Sequence, residues 1–496
     1  MSTVDSSPPT APGGTTATGA KHPVDQVPPV SRLFVLGLQH VLAMYTGCVT
    51  VPLVFGAAVG LDTSTIGLLI NADLLVAGIV TVIQSLGVGR LLGVRLPVVA
   101  GATFAAVSPM ILIGNEYGMP ALYGAMLVAG VFGLALAVPF ARVVRFFPPL
   151  VSGTVVTVIG LSLIGVSGGL IVGNDPEAAD YASPRNLALA AGIVVVIVAI
   201  SRWGRGLVAQ LAVLIGLVLG TLVALPMGLT DFSTVGDAAW IGLAAPFHFG
   251  PPEFHVAAIV AMCTVMLVIF TESTADMLAV ADMTGRRLSR ADLARGLAAD
   301  GLSGLLAGSM NSFLDTAFAQ NVGLVEMSRV RSRFVVTAAG VMLFLLGLVP
   351  KLGEVVASLP APVVGGAGLV MFATVTAVGI RTLRTVSFEN NSNLLIIAVS
   401  IGVGMLPEAA PDIYSNLPRE VETIAGSAIT STVIVAFTLN LLFNHGPGSR
   451  LRDDGTAKAA TPPAGPAAPT DGRAEGGAGH GGADAAPTPT TSAAGS

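Results

Sequence analysis

Charge is what this sequence lacks most. Only 11% of its 496 residues are Asp, Glu, Lys or Arg, less than half of the ~25% typical of a soluble globular domain, so an ordinary soluble protein is excluded and no nucleic-acid partner is expected. Cysteine is nearly absent too. Cys48 and Cys263 both fall within apolar runs, which supports neither a disulfide framework nor a thiolate metal site and leaves them as packing residues. Histidine is scarce: His40 alone lies within an apolar run, His248 and His255 lie at a loop, and no HExxH occurs. A metal-ligand or nucleophile-base set is therefore missing, and an enzyme is not expected. The first thirty residues have no apolar core, so no cleavable signal is read there.

What is present is apolar. Hydrophobic residues make up 53% of the chain and the mean hydropathy is +0.80, the composition of an all-α polytopic membrane protein with the lipid bilayer as partner. The 60 glycines fall inside apolar runs without a three-residue period, which suits close helix packing and broken helices. Residues 1–31 and 446–496, poor in large apolar side chains, read as disordered tails. Between them lie fourteen apolar runs, at 33–56, 64–88, 96–114, 121–141, 149–173, 187–201, 207–229, 255–283, 293–310, 313–328, 334–356, 362–380, 391–407 and 424–444. Several fall short of the ~20 residues of a straight crossing, notably the third, tenth and thirteenth.

The basic residues order these runs. If all fourteen cross, 21 of the 24 Lys and Arg residues lie on one side and only Arg185, Lys351 and Arg419 on the other. The positive-inside rule then places both termini in the cytoplasm. The chain is also duplicated: Ala102-Thr103-Phe104-Ala105-Ala106-Val107 in span three returns as Thr316-Ala317-Phe318-Ala319-Gln320-Asn321 in span ten, and Pro148-Pro149-Leu150-Val151-Ser152-Gly153 returns as Pro360-Ala361-Pro362-Val363-Val364-Gly365-Gly366. Seven spans per half force the second copy upside down, the inverted-repeat plan of secondary transporters. Spans three and ten are then expected to begin extended and to become helical after Ala105 and Gly323, meeting near the midplane.

Polar side chains in these spans mark a candidate site. Gln320 and Asn321 each offer a carbonyl acceptor and two N–H donors, able to match a planar ligand edge or, alternatively, to bind two helices together. Glu272 and Asp276 stand one helical turn apart behind the apolar run 265–270, close enough for one of them to exchange a proton near neutrality; the alternative is a solvated helix end. Asp300 could carry a proton or cap a broken helix that holds spans eight and ten. His40 could orient a carboxylate of span eight or serve as hydrogen-bonded structure. Phe104 and Phe318 are core residues unless one of them stacks on a flat ring.

With Gln39-His40, Glu272-Ser273-Thr274-Ala275-Asp276, Asp300 and Gln320-Asn321-Val322-Gly323 through Ser328-Arg329 in this order, the chain resembles the nucleobase-ascorbate transporter family over about residues 32–444. Ser328 stands where that family usually has Thr, and Ala275 where Gly is common. The resemblance implies a core domain of spans one to four and eight to eleven (32–145 and 255–357) and a gate domain of spans five to seven and twelve to fourteen (146–254 and 358–445). It implies that Glu272 and Gln320 hydrogen-bond a base, that Phe104 stacks on it, and that the backbone of Phe104 and Ala319 adds contacts. Asn321 would tune affinity, while His40, Asp276 and Asp300 would support binding and proton coupling. The carboxylate-rich span eight is similar to the xanthine and uric acid branch, whereas uracil carriers tend to place His there. The expected protein is a proton-coupled importer of an oxidised purine, with no cofactor beyond the proton, and the family suggests a homodimer. A carrier for an inorganic or dicarboxylate anion with the same seven-plus-seven plan is the nearest rival, and a passive channel would lack the duplicated broken spans.

Overall fold

The computed structural model describes residues 22–143, 148–173, 180–230, 232–388 and 391–445. Residues 1–21 of the tail expected at 1–31, the tail expected at 446–496, and Arg145 lie outside these residues. The first half comprises α1 (Val30–Val59), α2 (Thr63–Leu86), β1 (Ala100–Ala102), α3 (Val107–Tyr117), α4 (Met119–Val143), α5 (Pro149–Val172), α6 (Pro184–Trp203), α7 (Leu207–Gln210), α8 (Ala212–Ala224) and α9 (Ser233–Asp237). The second comprises α10 (Val256–Thr284), α11 (Arg290–Met310), β2 (Asp315–Ala317), α12 (Ala319–Ser328), α13 (Arg333–Gly347), α14 (Pro350–Ala357), α15 (Ala361–Leu383), α16 (Asn391–Ala409), α17 (Arg419–Gly426) and α18 (Ala428–Asn444).

Local chemistry sets the element ends. Asp62 accepts a hydrogen bond from Thr65 N at 3.1 Å and starts α2, the usual use of a side-chain oxygen on an orphan first-turn N–H. Ser289 and Asp292 form a reciprocal capping box at the start of α11. Pro149 opens α5 and Pro362 lies in the first turn of α15, so both proline motifs of the duplication act as helix starts, where a missing N–H costs nothing.

Eight helices are long and apolar enough to cross a membrane among the described residues, and ten spans result if the bent pairs α13–α14 (81°) and α17–α18 (80°) are each one. The other expected runs are built differently. Spans three and ten are a strand followed by a short helix, and span seven is the broken pair α7–α8. Span nine is α11, 21 residues long but charged at Arg290, Asp292, Arg295 and Asp300.

Packing repeats the duplication. When α1, α2, α4, α5, α6 and α8 are matched in order with α10, α11, α13, α15, α16 and α18, the main contacts have images: α4 on α11 answers α2 on α13, α10 on α4 answers α1 on α13, and α6 on α15 answers α16 on α5. The longest interface is that of α5 with α15.

The N-terminal boundary needs one correction. Residues 22–31, placed in a disordered tail by composition, hold a 3-10 turn at Pro23–Asp25 and the start of α1. Val24 is fully buried, Asp25 pairs with Arg333 at 2.8 Å and with Arg286 at 3.4 Å, and Ser332 Oγ donates to Gln26 O at 2.6 Å. A Pro-rich polar segment is ordered here because specific cations and a buried valine hold it, neither of which composition registers.

Candidate substrate site

The site is built around two strands that cross where the broken spans meet. β1 and β2 pair antiparallel, with Ala100 opposite Ala317, Gly101 opposite Thr316 and Ala102 opposite Asp315. Thr103 N to Leu314 O at 2.8 Å and Phe318 N to Val99 O at 2.9 Å extend the ladder. Both strands are fully buried, so their outer edges need partners. Hydroxyls supply them. Thr81 Oγ1 of α2 accepts from Ala100 N at 3.0 Å and donates to Ala100 O at 3.2 Å. On the far edge, Ser273 Oγ of α10 accepts from Ala317 N at 3.0 Å and Ser303 Oγ of α11 accepts from Asp315 N at 3.1 Å.

Helices leave both strands. α3 starts after a 3-10 turn at Phe104–Ala106, close to the expected transition after Ala105. α12 starts at Ala319, four residues before the expected transition at Gly323. The correction has a simple cause: Phe318 O accepts from both Asn321 N at 3.0 Å and Val322 N at 3.3 Å, which closes the first turn early. The N–H groups of Ala319 and Gln320 precede these and have no intrahelical partner, so the positive end of α12 is aimed at whatever lies before it.

The expected site residues separate into two sets. Glu272 is half-buried on α10, next to Ser273, whose hydroxyl lies 3.2 Å from that of Thr316. α10 is thus fixed to β2 just before Gln320. Ala319 and Gln320 are exposed, free to meet a ligand. Phe104 is half-buried and meets Phe372 of α15 edge to face, with ring centroids 5.5 Å apart. Asp276 is half-buried one turn below Glu272, with Arg381 of α15 as the cation that acts on it. These residues form the open face.

The second set is internal. His40, 2% exposed, bridges no carboxylate of α10: its Nδ1 and its carbonyl oxygen each lie 3.1 Å from Asn321 Nδ2. That bond holds α1 to α12 and takes the Asn321 amide, 1% exposed, away from the open face. Asp300 is fully buried in the middle of α11, which runs unbroken through it, so the carboxylate caps no helix end. It accepts from Gln84 Nε2 at 2.9 Å, and Gln84 also binds Gly296 O at 2.9 Å and Val94 N at 3.2 Å. Phe318, 3% exposed, is core: its ring fills the space that a Cβ on Gly47 or Gly101 would enter, at 2.5 and 3.0 Å. Gly323 has open space around it.

Sequence reading missed Asp73, Asp315, Gln84, Ser273 and Thr316. The first two had a signal. Asp73 interrupts the apolar run of span two and Asp315 immediately precedes the span-ten motif, and an ionisable residue within a span marks a candidate functional position. The hydroxyls had none, since a Ser or Thr that caps a buried strand edge looks like any other small polar residue of a helix.

The chain is similar to known proteins. Residues 31–413 match the Xan_ur_permease family, described as a permease family. The uric acid transporter UacT of Escherichia coli is 41% identical over 447 residues, covering 90% of this chain and 92% of that protein. The xanthine permease of Bacillus subtilis is 40% identical over 409 residues, 82% and 93% of the two chains. Among solved structures, the murine Slc26a9 anion transporter in its inward-facing state matches with a TM-score of 0.55 at 12% identity, over 83% of this chain and 68% of that one, a likeness of fold alone. The family match over residues 31–413, together with two relatives that cover 90% and 82% of this chain, makes it a member of the nucleobase-ascorbate transporter family, a transporter and not an enzyme.

Proposed function

We propose that the chain is a proton-coupled symporter that imports an oxidised purine base, xanthine or uric acid, across the cell membrane by alternating access. The observation that carries this reading is that α10 packs against both α12 and the turn at Phe104–Ala106. Those elements carry a half-buried carboxylate (Glu272), an exposed carboxamide (Gln320) and a half-buried aromatic ring (Phe104) around the free N-terminus of α12. An oxidised purine presents N–H donors next to carbonyl acceptors on a flat ring. Glu272 accepts from its N–H groups, Gln320 supplies a donor and an acceptor, the backbone N–H of Ala319 meets a carbonyl, and Phe104 stacks on the ring face. Asn321 acts from behind, by setting the position of α12 through His40.

Phe104 belongs to the core domain (32–145 and 255–357) and its contact Phe372 to the gate domain (146–254 and 358–445), so the base would lie between the two. The exchange of contacts between the halves supports two repeats of seven spans, fourteen in all; the asymmetry of the basic residues puts both termini in the cytoplasm, and two copies pair through their gate domains as the family suggests. Asp276 and Asp300 would stabilise the proton that travels with the base. The anion-carrier rival gains nothing from the likeness to Slc26a9, because fold does not fix substrate, and Glu272 and Gln320 offer the acceptors and amide donors that suit ring N–H and carbonyl groups, whereas an inorganic or dicarboxylate anion has no such N–H donors.

Uptake of radiolabelled xanthine and uric acid by cells expressing the full chain tests the proposal, each with the other as competitor, with and without a protonophore. Saturable uptake that collapses with the proton gradient is expected, with at least ~30-fold less in Glu272→Gln, the equivalent of losing a charge-assisted hydrogen bond of ~2 kcal/mol. If neither purine enters although the protein reaches the membrane, the reading fails.

A further inference from the structure

Far from the substrate contacts, α3 ends in Glu116 and Tyr117, and α17 begins with Arg419 and carries Thr423 one turn on. These four side chains form one cluster. Arg419 Nε lies 3.1 Å from Glu116 Oε2, and the same guanidinium donates to the Glu116 carbonyl oxygen and lies over the Tyr117 ring, 4.4 Å from its centroid. Thr423 Oγ1 donates to Arg419 O at 2.8 Å. A hydroxyl has one proton to give, so at the 2.9 Å contact between the two hydroxyls Tyr117 is the donor and Thr423 the acceptor. Arg419 is exposed and Thr423 fully buried, so a charged pair at the surface covers a hydrogen bond beneath it. Tyr117 also packs on the His255 ring, centroids 4.8 Å apart, and His255 Nε2 lies 3.5 Å from Glu253 Oε2.

The cluster joins two parts of the chain that the transport reading places in separate bodies, α3 in the core domain (32–145) and α17 in the gate domain (358–445). Arg419 and Glu116 are 303 positions apart. Apart from the chain neighbours Glu253 and His255, theirs is the only ion pair between the two domains among the described residues. Arg419 is also one of the three basic residues opposite the other 21, which makes this the outer face. The inner face is joined differently. There α7 of the gate meets α12 of the core through Gln210 Nε2 and Met327 Sδ at 3.1 Å, a neutral amide on a weak acceptor, with Met327 exposed. A lone exposed ion pair contributes little. A guanidinium held by a carboxylate, a carbonyl and a ring face, beside a buried hydroxyl pair, is a set of contacts that forms and parts together.

We propose that Glu116, Tyr117, Arg419 and Thr423 form an outer latch, closed while the substrate site is shut to the outside and parted when the site opens outward. In alternating access the two domains separate on one face while they meet on the other. Contacts made in only one of two states set the ratio of those states, and a ligand moves that ratio only by binding the two unequally. The latch therefore weights the cycle toward the closed outer face without touching the purine, and import requires it to open and reclose in every turnover. The inference rests on the division into core and gate domains proposed above, and not on which molecule is carried.

Spin labels at Asn115→Cys and Glu420→Cys, both exposed positions, test it in the full-length chain with Cys48→Ala and Cys263→Ala, reconstituted in liposomes. With the latch intact a short distance should dominate. Arg419→Ala should raise the share of a longer distance about 5-fold, the effect of one surface ion pair, and Tyr117→Phe about 2-fold to 5-fold, the effect of one hydrogen bond. Glu116→Arg should act like Arg419→Ala, and Glu116→Arg combined with Arg419→Glu should restore much of the short distance. Distances that neither Arg419→Ala nor Tyr117→Phe alters, or a charge exchange that restores nothing, overturn the proposal. Loss of folded protein in both single variants would make the cluster a structural clamp and overturn it equally. If added xanthine or uric acid shifts the distance but the variants do not, the domains move and the latch is wrong; if nothing shifts it, the division into core and gate fails with the latch. A chain that imports neither purine but whose variants lengthen the distance would refute the purine reading and leave the latch standing.

Discussion

The two broken spans are copies of one device put to different uses. Each brings a short buried strand to the centre and turns into a helix, and the strands pair with each other. Yet β1 is Ala100-Gly101-Ala102 and carries no functional side chain, whereas β2 is Asp315-Thr316-Ala317 and is joined to two helices, to α10 by Ser273 and to α11 by Ser303. The aromatic rings exchange roles in the opposite sense. Phe318, from the chemically rich copy, is buried against Gly47 and Gly101, while Phe104, from the plain copy, faces α15. Duplication has kept the backbone crossing, which must satisfy every buried N–H and C=O, and has left side chains free to diverge.

The largest effect should come from treating the two rings alike. Phe318→Ala removes a side chain that is 3% exposed and should cost about 3–5 kcal/mol of stability, the range for Phe to Ala in a packed core, read as loss of monodisperse protein after extraction. Phe104→Ala should leave the protein folded and raise KM by about 5-fold to 30-fold, the loss of a stacking contact of ~1–2 kcal/mol. Equal loss of folded protein in both variants would break the distinction drawn between them.

A second, somewhat smaller effect sharpens the same point. Gly47→Val places a Cβ 2.5 Å from the Phe318 ring, an overpacking that should cost about 1–3 kcal/mol. Phe318→Leu in the same chain should recover part of it, a coupling measurable by thermal unfolding of the single and double variants. The neighbouring amides come next. Gln320→Ala should weaken purine uptake by about 10-fold, ~1.4 kcal/mol, with little change in stability. Asn321→Ala breaks two bonds to His40 and should lower stability by ~1–2 kcal/mol, with altered affinity following from the looser α12. If Asn321→Ala changes KM but leaves the unfolding temperature alone, its side chain touches substrate after all.

How much of this was written in the sequence depends on the kind of signal. Membrane class, the duplication and the two broken spans were legible, because apolar length, basic asymmetry and repeated motifs are one-dimensional. Glu272 and Gln320 stood out as candidates because amides and acids in apolar runs are costly and so carry meaning. The partner of His40 was not, since Asn321 lies 281 residues away and only the folded chain reveals whether a ring meets a carboxylate or an amide. The start of α12 was misplaced because Gly323 attracted the boundary, while the Phe318 carbonyl, invisible in sequence, set it. Span count from apolar runs exceeded the eight to ten long spans for a related reason: an apolar run records burial, and a strand, a bent pair and a charged helix such as α11 are buried by neighbours as well as by lipid.

The smallest expected effect compares the first connections of the two halves, where the same job is done by different atoms. α2 is capped by the Asp62 carboxylate and α11 by the Ser289 hydroxyl, which accepts from Asp292 N at 3.2 Å. At about pH 7, Asp62→Ala and Ser289→Ala should each cost ~1 kcal/mol. They should part company in acid. Hydrogen bonds from Ser64 and Thr65 hold the Asp62 carboxyl down from 3.8 to about 2, so its stabilisation is complete above the unfolded value and is lost as the pH falls through the folded one. Exposure to solvent keeps that contribution below what the shift alone would give. The Asp62→Ala deficit should therefore shrink toward zero as the pH approaches about 2, whereas the Ser289 hydroxyl still accepts from Asp292 N at that pH, so this part of its deficit remains and only the part from its bond to the Asp292 carboxylate fades. Unfolding temperatures of the two variants against wild type across that range decide it, and parallel deficits would show that the carboxylate at Asp62 caps α2 no differently from a hydroxyl.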